Sequence, residues 1–352
     1  MVPDPEDVRR NFKRILLIRF RLMGDVLLMT PVARALRARF PQARIALLTD
    51  EPADEMVRGH PALDEIILFK RHDDAKLTAF QRLKRYARVV SDIRRKGFDL
   101  VLNLHPHGER GGLVTWLSGA RVRVGYDRPG SRTFWYNVRA PYDTESRYRV
   151  EHLLDALRAI GIEAKAELPS VSLTADDKAY AEKLLAGGKR PVVVIHPGRP
   201  DSRRAWMADR YAQVADALVA KHGARILFSG VQQEKERVEG VRRGMRQASE
   251  SLVGASVKQL AAVMQRADLY IGMDSSPLHL ASAVGLPTVS LFSYYSPRAW
   301  KPIGDEHIAI RKQLPEHPCD APRCCQPGEA PCMRNISVDE VLIAADQLLP
   351  RK

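Results

Sequence analysis

The chain has 352 residues, carries 56 Lys and Arg against 42 Asp and Glu for a formal charge of +14, and is 45% hydrophobic. That length excludes one small domain and that apolar fraction excludes general disorder, so two domains are expected. No apolar run approaches the ~20 residues of a membrane span, and the best N-terminal stretch, 15–18, is cut at once by Arg19 and Arg21, so the chain reads as soluble, unexported and cytoplasmic.

In chain order, short apolar runs alternate with longer helical patterns, as crossover helices between parallel strands produce. Strands are predicted over 15–18, 45–48, 66–69, 100–104 and 122–125, with helices over 26–39, 77–95 and 111–117 between them. The stretch 126–148 is rich in Arg, Pro, Gly and aromatics without clear periodicity and reads as a loop-rich edge. A helix over 151–160 and a linker over 162–174 follow. The pattern then restarts, with strands over 192–195, 226–228, 269–272 and 288–292 and helices over 210–221, 234–243, 257–265 and 277–284. The fold class is therefore α/β, two doubly wound units in tandem.

In open parallel sheets ligands bind beyond the carboxyl ends of the strands, so the turns there matter most. Four are chemically rich: the turn from Arg19 through Arg21 to Gly24 and Asp25, the run His105-Pro106-His107-Gly108, the run His196-Pro197-Gly198-Arg199, and the run from Gly272 through Asp274, Ser275, Ser276 and Pro277 to His279. A cleft between the units would gather them. In the last, Pro277 opens a helix whose N–H groups and dipole point at the strand end, a ready anion site. His279 would donate to a phosphate oxygen there, and Arg203 and Arg204 would add mobile positive charge. The competing reading is that Ser275 or Ser276 only caps the helix, that His279 packs locally, and that the arginines are surface charge. Asp25 likewise reads either as an N-cap or as a general base; the helix start would lower its pKa, whereas burial in a closed cleft would raise it.

The positive balance calls for an acidic partner, be it nucleic acid, an anionic membrane face or a phosphorylated substrate. Basic residues are dense over 82–96, opposite Leu83, Tyr86, Val89, Val90 and Ile93 at helical spacing, a pattern shared by solvated helix faces and membrane-facing ones. No zinc-finger, RNA-recognition or helix-turn-helix signature supports nucleic acid. The dinucleotide G-x-G-x-x-G, the P-loop, the G-x-S-x-G elbow and H-E-x-x-H are all missing, which counts against hydride transfer, ATPase work and zinc proteolysis. All four cysteines, Cys319, Cys324, Cys325 and Cys332, lie within 14 residues. They offer a tetrahedral thiolate site or a disulfide clip, but the adjacent pair strains zinc geometry, and reduced thiols are the default.

Lys13-Arg14-Ile15-Leu16-Leu17-Ile18-Arg19, the turn Met23-Gly24-Asp25-Val26-Leu27-Leu28-Met29-Thr30-Pro31, the pair Phe40-Pro41 and Phe98-Asp99-Leu100-Val101 resemble glycosyltransferase family 9, the ADP-heptose:lipopolysaccharide heptosyltransferases. So do Leu117-Ser118-Gly119-Ala120, His196-Pro197-Gly198 with Arg204 and Trp206, Asp274-Ser275-Ser276-Pro277-Leu278-His279-Leu280-Ala281, and the tail ending Cys332-Met333-Arg334-Asn335-Ile336. The resemblance spans nearly the whole chain. It implies a GT-B fold, two Rossmann-like doubly wound domains facing across a cleft, over 1–165 for the acceptor and 170–335 for the nucleotide-sugar donor. The final helix, 338–349, would cross back to the first domain.

The implied activity is inverting, metal-independent transfer of heptose from ADP-L-glycero-D-manno-heptose to the inner core of lipopolysaccharide, with no cofactor. The implied partners are that donor, a phosphorylated lipopolysaccharide-core acceptor and the anionic inner face of the membrane, with no nucleic acid. Asp25 matches the base. His196, Gly198, Arg204, Asp274, Ser275, Ser276 and His279 match the donor site, and Arg19, Arg21, His105 and His107 are the acceptor candidates. Met273 and Ser276 stand where Asn and Gly are common in the family, and Arg204 where some relatives carry Lys, so another nucleotide sugar, or an idle binding protein of the same fold, is the alternative. Trp206 reads either as a ring stacked near the donor or as domain core.

Overall fold

The computed structural model describes residues 11–20, 22–69, 77–105, 109–130, 132–143, 146–188, 190–199, 204–314 and 330–349. Its chain divides into two units, Met1–Ser172 and Leu173–Lys352. In the first, strands β1 (Arg14–Ile18), β2 (Arg44–Thr49), β3 (Glu65–Leu68), β4 (Leu100–Asn103), β5 (Val122–Tyr126) and β6 (Val138–Ala140) form one sheet in the order β3-β2-β1-β4-β5-β6. Every neighbouring pair is parallel. The centre is apolar on both faces because helices cover both, so Ile15, Leu16, Leu17 and Ile18 are all fully buried.

Two features here depart from the sequence expectation. The single helix predicted over 26–39 is two, Met23–Leu27 and Thr30–Arg39, with Pro31 in the first turn of the second. A continuous helix would drive the Pro31 ring against the carbonyl one turn back, whereas at a helix start its missing N–H is no loss. The stretch predicted as a loop-rich edge contains a 3-10 turn, Thr133–Trp135, and the edge strand β6, whose three residues are too few to show a period.

The second unit repeats the plan. Strands β7 (Val192–His196), β8 (Arg225–Phe228), β9 (Glu250–Ser251), β10 (Leu269–Met273), β11 (Thr288–Phe292) and β12 (His307–Arg311) run parallel in the order β12-β11-β10-β7-β8-β9. The short β9, the edge strand β12 and the helix Ala175–Leu185 were not predicted. That helix does carry a sequence signal, the reciprocal capping pair of Thr174 and Asp177.

The final helix, Val338–Leu348, also begins with a capping box, Ser337 with Glu340. Its apolar face joins the core of the second unit, where Val341, Ala344 and Ala345 pack with Trp206 and Tyr211. Trp206 is core as well: its Nε1–H donates to the Ile336 carbonyl at 3.1 Å and its ring meets Tyr211 edge-on at 4.9 Å. No helix among the described residues is long and apolar enough to cross a membrane.

In both sheets the strand order reverses between the first and fourth strands of the unit, β1 beside β4 and β7 beside β10. Crossovers leave in opposite directions there, so a crevice opens beyond the carboxyl ends.

Candidate active site

At the reversal in the first unit, Arg19 follows β1 and is 1% exposed. Its guanidinium donates to the carbonyl of Leu104, just beyond β4, and, at 2.5 Å, to the carboxylate of Asp25, thereby tying the two strand ends together. Asp25 is the third residue of Met23–Leu27, and the N-cap position belongs to Leu22, which has no side-chain cap. The N-cap reading of Asp25 is thereby replaced by a part-buried ion pair with Arg19.

Burial raises the Asp25 pKa, but the charges of Arg19 and Arg149, the Arg19 hydrogen bond and His105 together outweigh it, and the carboxyl stays below its ordinary 3.8. Arg149 opens the helix Arg149–Arg158 and is itself buried; burial and the neighbouring charge of Arg19 push its pKa down, and Asp25 opposes them. Asp25 therefore lies in the field of two buried guanidinium groups, Arg19 and Arg149. Burial, with Arg149, Arg147 and Arg19, pushes the nearby His152 down to about 3, so it is neutral at physiological pH.

Of the acceptor candidates, Arg19 and His105 are brought to Asp25, while Arg21 and His107 lie outside the described residues. Arg149 was missed, because nothing in its local sequence separates it from the other helix arginines.

The second unit builds a different site. His196 ends β7, and its Nδ1–H points at the Ser229 carbonyl at 3.1 Å, with Glu234 at 4.0 Å from Nε2. Burial lowers its pKa against the opposing effects of Glu234 and Ser229. Gly198 takes a φ of +68°, and a Cβ there would come within 2.1 Å of Met273 Cε, so the turn after β7 lies directly against the end of β10.

Beyond β10, Ser275 occupies the N-cap of the helix Ser276–Ala283 without a side-chain cap; its hydroxyl lies 3.3 Å from the Met273 carbonyl. The side-chain cap reading therefore fails for Ser275. Arg204 donates to the Asp274 carbonyl at 2.6 Å, sits 3.7 Å from the Asp274 carboxylate, and stacks 5.5 Å from the Tyr295 ring. The helix start and this arginine are thus adjacent, as an oxyanion site needs.

From Tyr295 the rings continue to Trp300 at 5.5 Å and on to His279, which is buried, at 6.1 Å. Tyr295 and Trp300 were also missed, although both follow β11, the strand end that the turn survey passed over. Among the described residues no cluster of metal-ligating side chains occurs. Cys332 is a buried free thiol, and Cys319, Cys324 and Cys325 lie outside the described residues.

Each unit thus has the Rossmann strand order, the first with a part-buried carboxylate paired to a buried arginine at its reversal and the second with an arginine at a helix start. The family model of glycosyltransferase family 9 (heptosyltransferase) matches residues 86–328, and the chain belongs to that family. It is 25% identical over 343 residues to lipopolysaccharide heptosyltransferase 3 of Escherichia coli, covering 94% of this chain and 97% of that one. Among solved structures, the glycosyltransferase family 9 protein of Veillonella parvula superposes with a TM-score of 0.82 at 24% identity, over 96% of this chain and 97% of that one. The E. coli heptosyltransferase WaaC with ADP-2-deoxy-2-fluoro heptose superposes with a TM-score of 0.72 at 18% identity, over 95% and 99% of the two chains. The fold is GT-B.

Proposed function

We propose that this protein transfers heptose from ADP-L-glycero-D-manno-heptose to the inner core of lipopolysaccharide, inverting the anomeric centre without a metal. Support for the substrates comes from the relatives, one named for lipopolysaccharide and one solved with an ADP-heptose analogue. The observation that carries the mechanism is Asp25, held ionised at a strand-order reversal by two buried arginines.

In this reading an acceptor hydroxyl forms a bond to the anomeric carbon as the bond to the diphosphate breaks. The electron pair leaves with ADP and the hydroxyl proton goes to Asp25. A carboxylate of low basicity suffices, because the attacking oxygen becomes strongly acidic as its new bond forms and positive charge develops on it. Negative charge grows on the departing diphosphate, where the N–H groups of Ser275 and Ser276, the His279 ring and Arg204 would meet it. Fixed donors of this kind are worth about 2.7–4 kcal/mol each. Asp274 acts here through Arg204, which its carbonyl and carboxylate hold at the helix start. Arg19, His105 and Arg149 supply the positive strand end for an acidic acceptor. Because that acceptor is a glycolipid, the protein would work in the cytoplasm at the anionic inner face of the membrane, each basic residue near the surface adding about 1 kcal/mol of attraction.

The test is release of ADP from ADP-heptose with and without a lipopolysaccharide-core acceptor, the anomeric configuration of the product being read by NMR and the rate repeated in chelator. Release from a different nucleotide sugar in preference to ADP-heptose would assign the donor pocket, with its Met273 and Ser276, to that sugar. Donor binding without turnover on any acceptor would make the protein an idle binder.

A further inference from the structure

The first unit carries another concave surface, whose lining includes none of Arg19, Asp25, His105 and Arg149. The helix Ala79–Lys96 buries only Ile93 completely, and one of its sides faces the helix Glu109–Leu117 across a groove of about 1230 Å³. The segment 132–135 closes one wall, packed so tightly that a Cβ on Gly112 would come within 1.7 Å of the Trp135 ring. Among the described residues eight large apolar side chains are exposed; Leu83, Leu113, Trp116 and Phe134 line this groove, and Phe80 lies one turn before Leu83. Phe80 is 73% exposed, Leu83 67% and Phe134 61%. Concentration of that kind marks an interaction surface rather than scattered surface apolar residues.

The rim decides what fits. Among the described residues, Arg94, Arg95, Arg110 and Arg132 line the groove against one carboxylate, Glu109. Two ion pairs here, Arg132 to Glu109 at 3.4 Å and Arg95 to Asp92 at 2.7 Å, are exposed surface pairs that exchange readily for phosphate. A second copy of this chain would bring the same arginines and a net charge of +14, and so meets like charge. Apolar rings ringed by arginines match instead the layer where lipid phosphates overlie acyl chains.

We propose that this groove docks the protein on an anionic phospholipid bilayer, with Phe80, Leu83, Trp116 and Phe134 inserted among the upper acyl carbons and the arginines on lipid phosphates. The proposal goes beyond the transfer reaction and rests on the lipopolysaccharide reading only for why a bilayer is near, since binding needs neither donor nor acceptor.

Vesicles of phosphatidylcholine mixed with phosphatidylglycerol, some carrying phosphatidylcholine brominated on its acyl chains, provide the test. The full chain should bind the mixed vesicles, keep part of that binding as salt is raised, and show tryptophan emission quenched by the bromines. Trp116→Phe should bind and lose most of the quenching. Trp116→Ala with Phe134→Ala should weaken binding about a hundredfold, on the area both rings would bury. Both side chains are exposed, so folding is spared, and transfer to a deacylated soluble acceptor should be unchanged while transfer to acceptor in vesicles falls. Binding that disappears in salt without quenching would overturn insertion and leave only a charged helix face. A concentration-dependent dimer lost in the double variant, without vesicle binding, would overturn the proposal in favour of self-association. Failure of transfer to both acceptors would count against the heptosyl reading and leave the docking result standing.

Discussion

Replacing Asp25 by Asn separates the two roles that one carboxylate plays. The amide keeps the size and one acceptor oxygen but removes the charge that answers Arg19 and Arg149. Arg19 is 1% exposed but the Asp25 side chain 16%, so the pair is only partly buried and the loss should not exceed the lower end of the range for a buried pair, about 3 kcal/mol, the more so because the amide oxygen still accepts from Arg19. Turnover should fall by about two to four decades if the carboxylate takes the proton. Binding of ADP-heptose, assigned to the other unit, should be nearly unchanged and reports that the protein is folded. The pH dependence carries its own sign. The folded pKa of Asp25 lies below its ordinary 3.8, so its contribution to stability is fully present above 3.8 and is lost as pH falls through the lower folded value. Urea unfolding followed as the pH is lowered through that region should show an acid slope in the wild type that is smaller in Asp25→Asn. An unaltered turnover in a folded, donor-binding Asp25→Asn would refute the base assignment and leave Asp25 as an anchor for Arg19.

Arg204→Ala and His279→Ala should each weaken ADP binding more than adenosine binding in calorimetry, because both are assigned to the diphosphate; equal losses for the two ligands would place them elsewhere. The ring protons of His152 should show no titration between pH 5 and 8 in NMR, since burial and three arginines push its pKa down to about 3; a midpoint near neutrality would mean that the arginine charges are screened from it. Gly198→Ala should destabilise the second unit by about 1–2 kcal/mol through its φ of +68° alone, Met273 Cε being a flexible end that can move aside. A second substitution, Met273→Ala, should therefore fail to restore the midpoint of denaturant unfolding, and full recovery would show that the contact with Met273, not the backbone, sets the penalty.

The alternation of apolar runs and helical periods determined by itself that the chain is α/β and doubled, because burial between two helical layers needs continuous apolar strands such as Ile15, Leu16, Leu17 and Ile18. Turn chemistry after those strands was equally local: Gly198 and the serines before Pro277 declare a strand-to-helix turn wherever they occur. Elements of two or three residues, such as β9 and β6, fall below the length at which a period exists, so only their neighbours in the sheet make them strands. Tertiary structure alone decided what depends on pairs far apart in sequence. Arg149 reaches Asp25 across more than a hundred residues, and its charge, with that of Arg19, turned a residue readable as a helix cap into an ionised carboxylate below its ordinary pKa. The final helix shows the same division. Its capping box and apolar stripe were plain in the sequence, but which core receives the stripe depends on where Trp206 and Tyr211 leave room for it. Likewise Leu83, Trp116 and Phe134 sit on three separate elements, and no local pattern in the chain says that they share one groove.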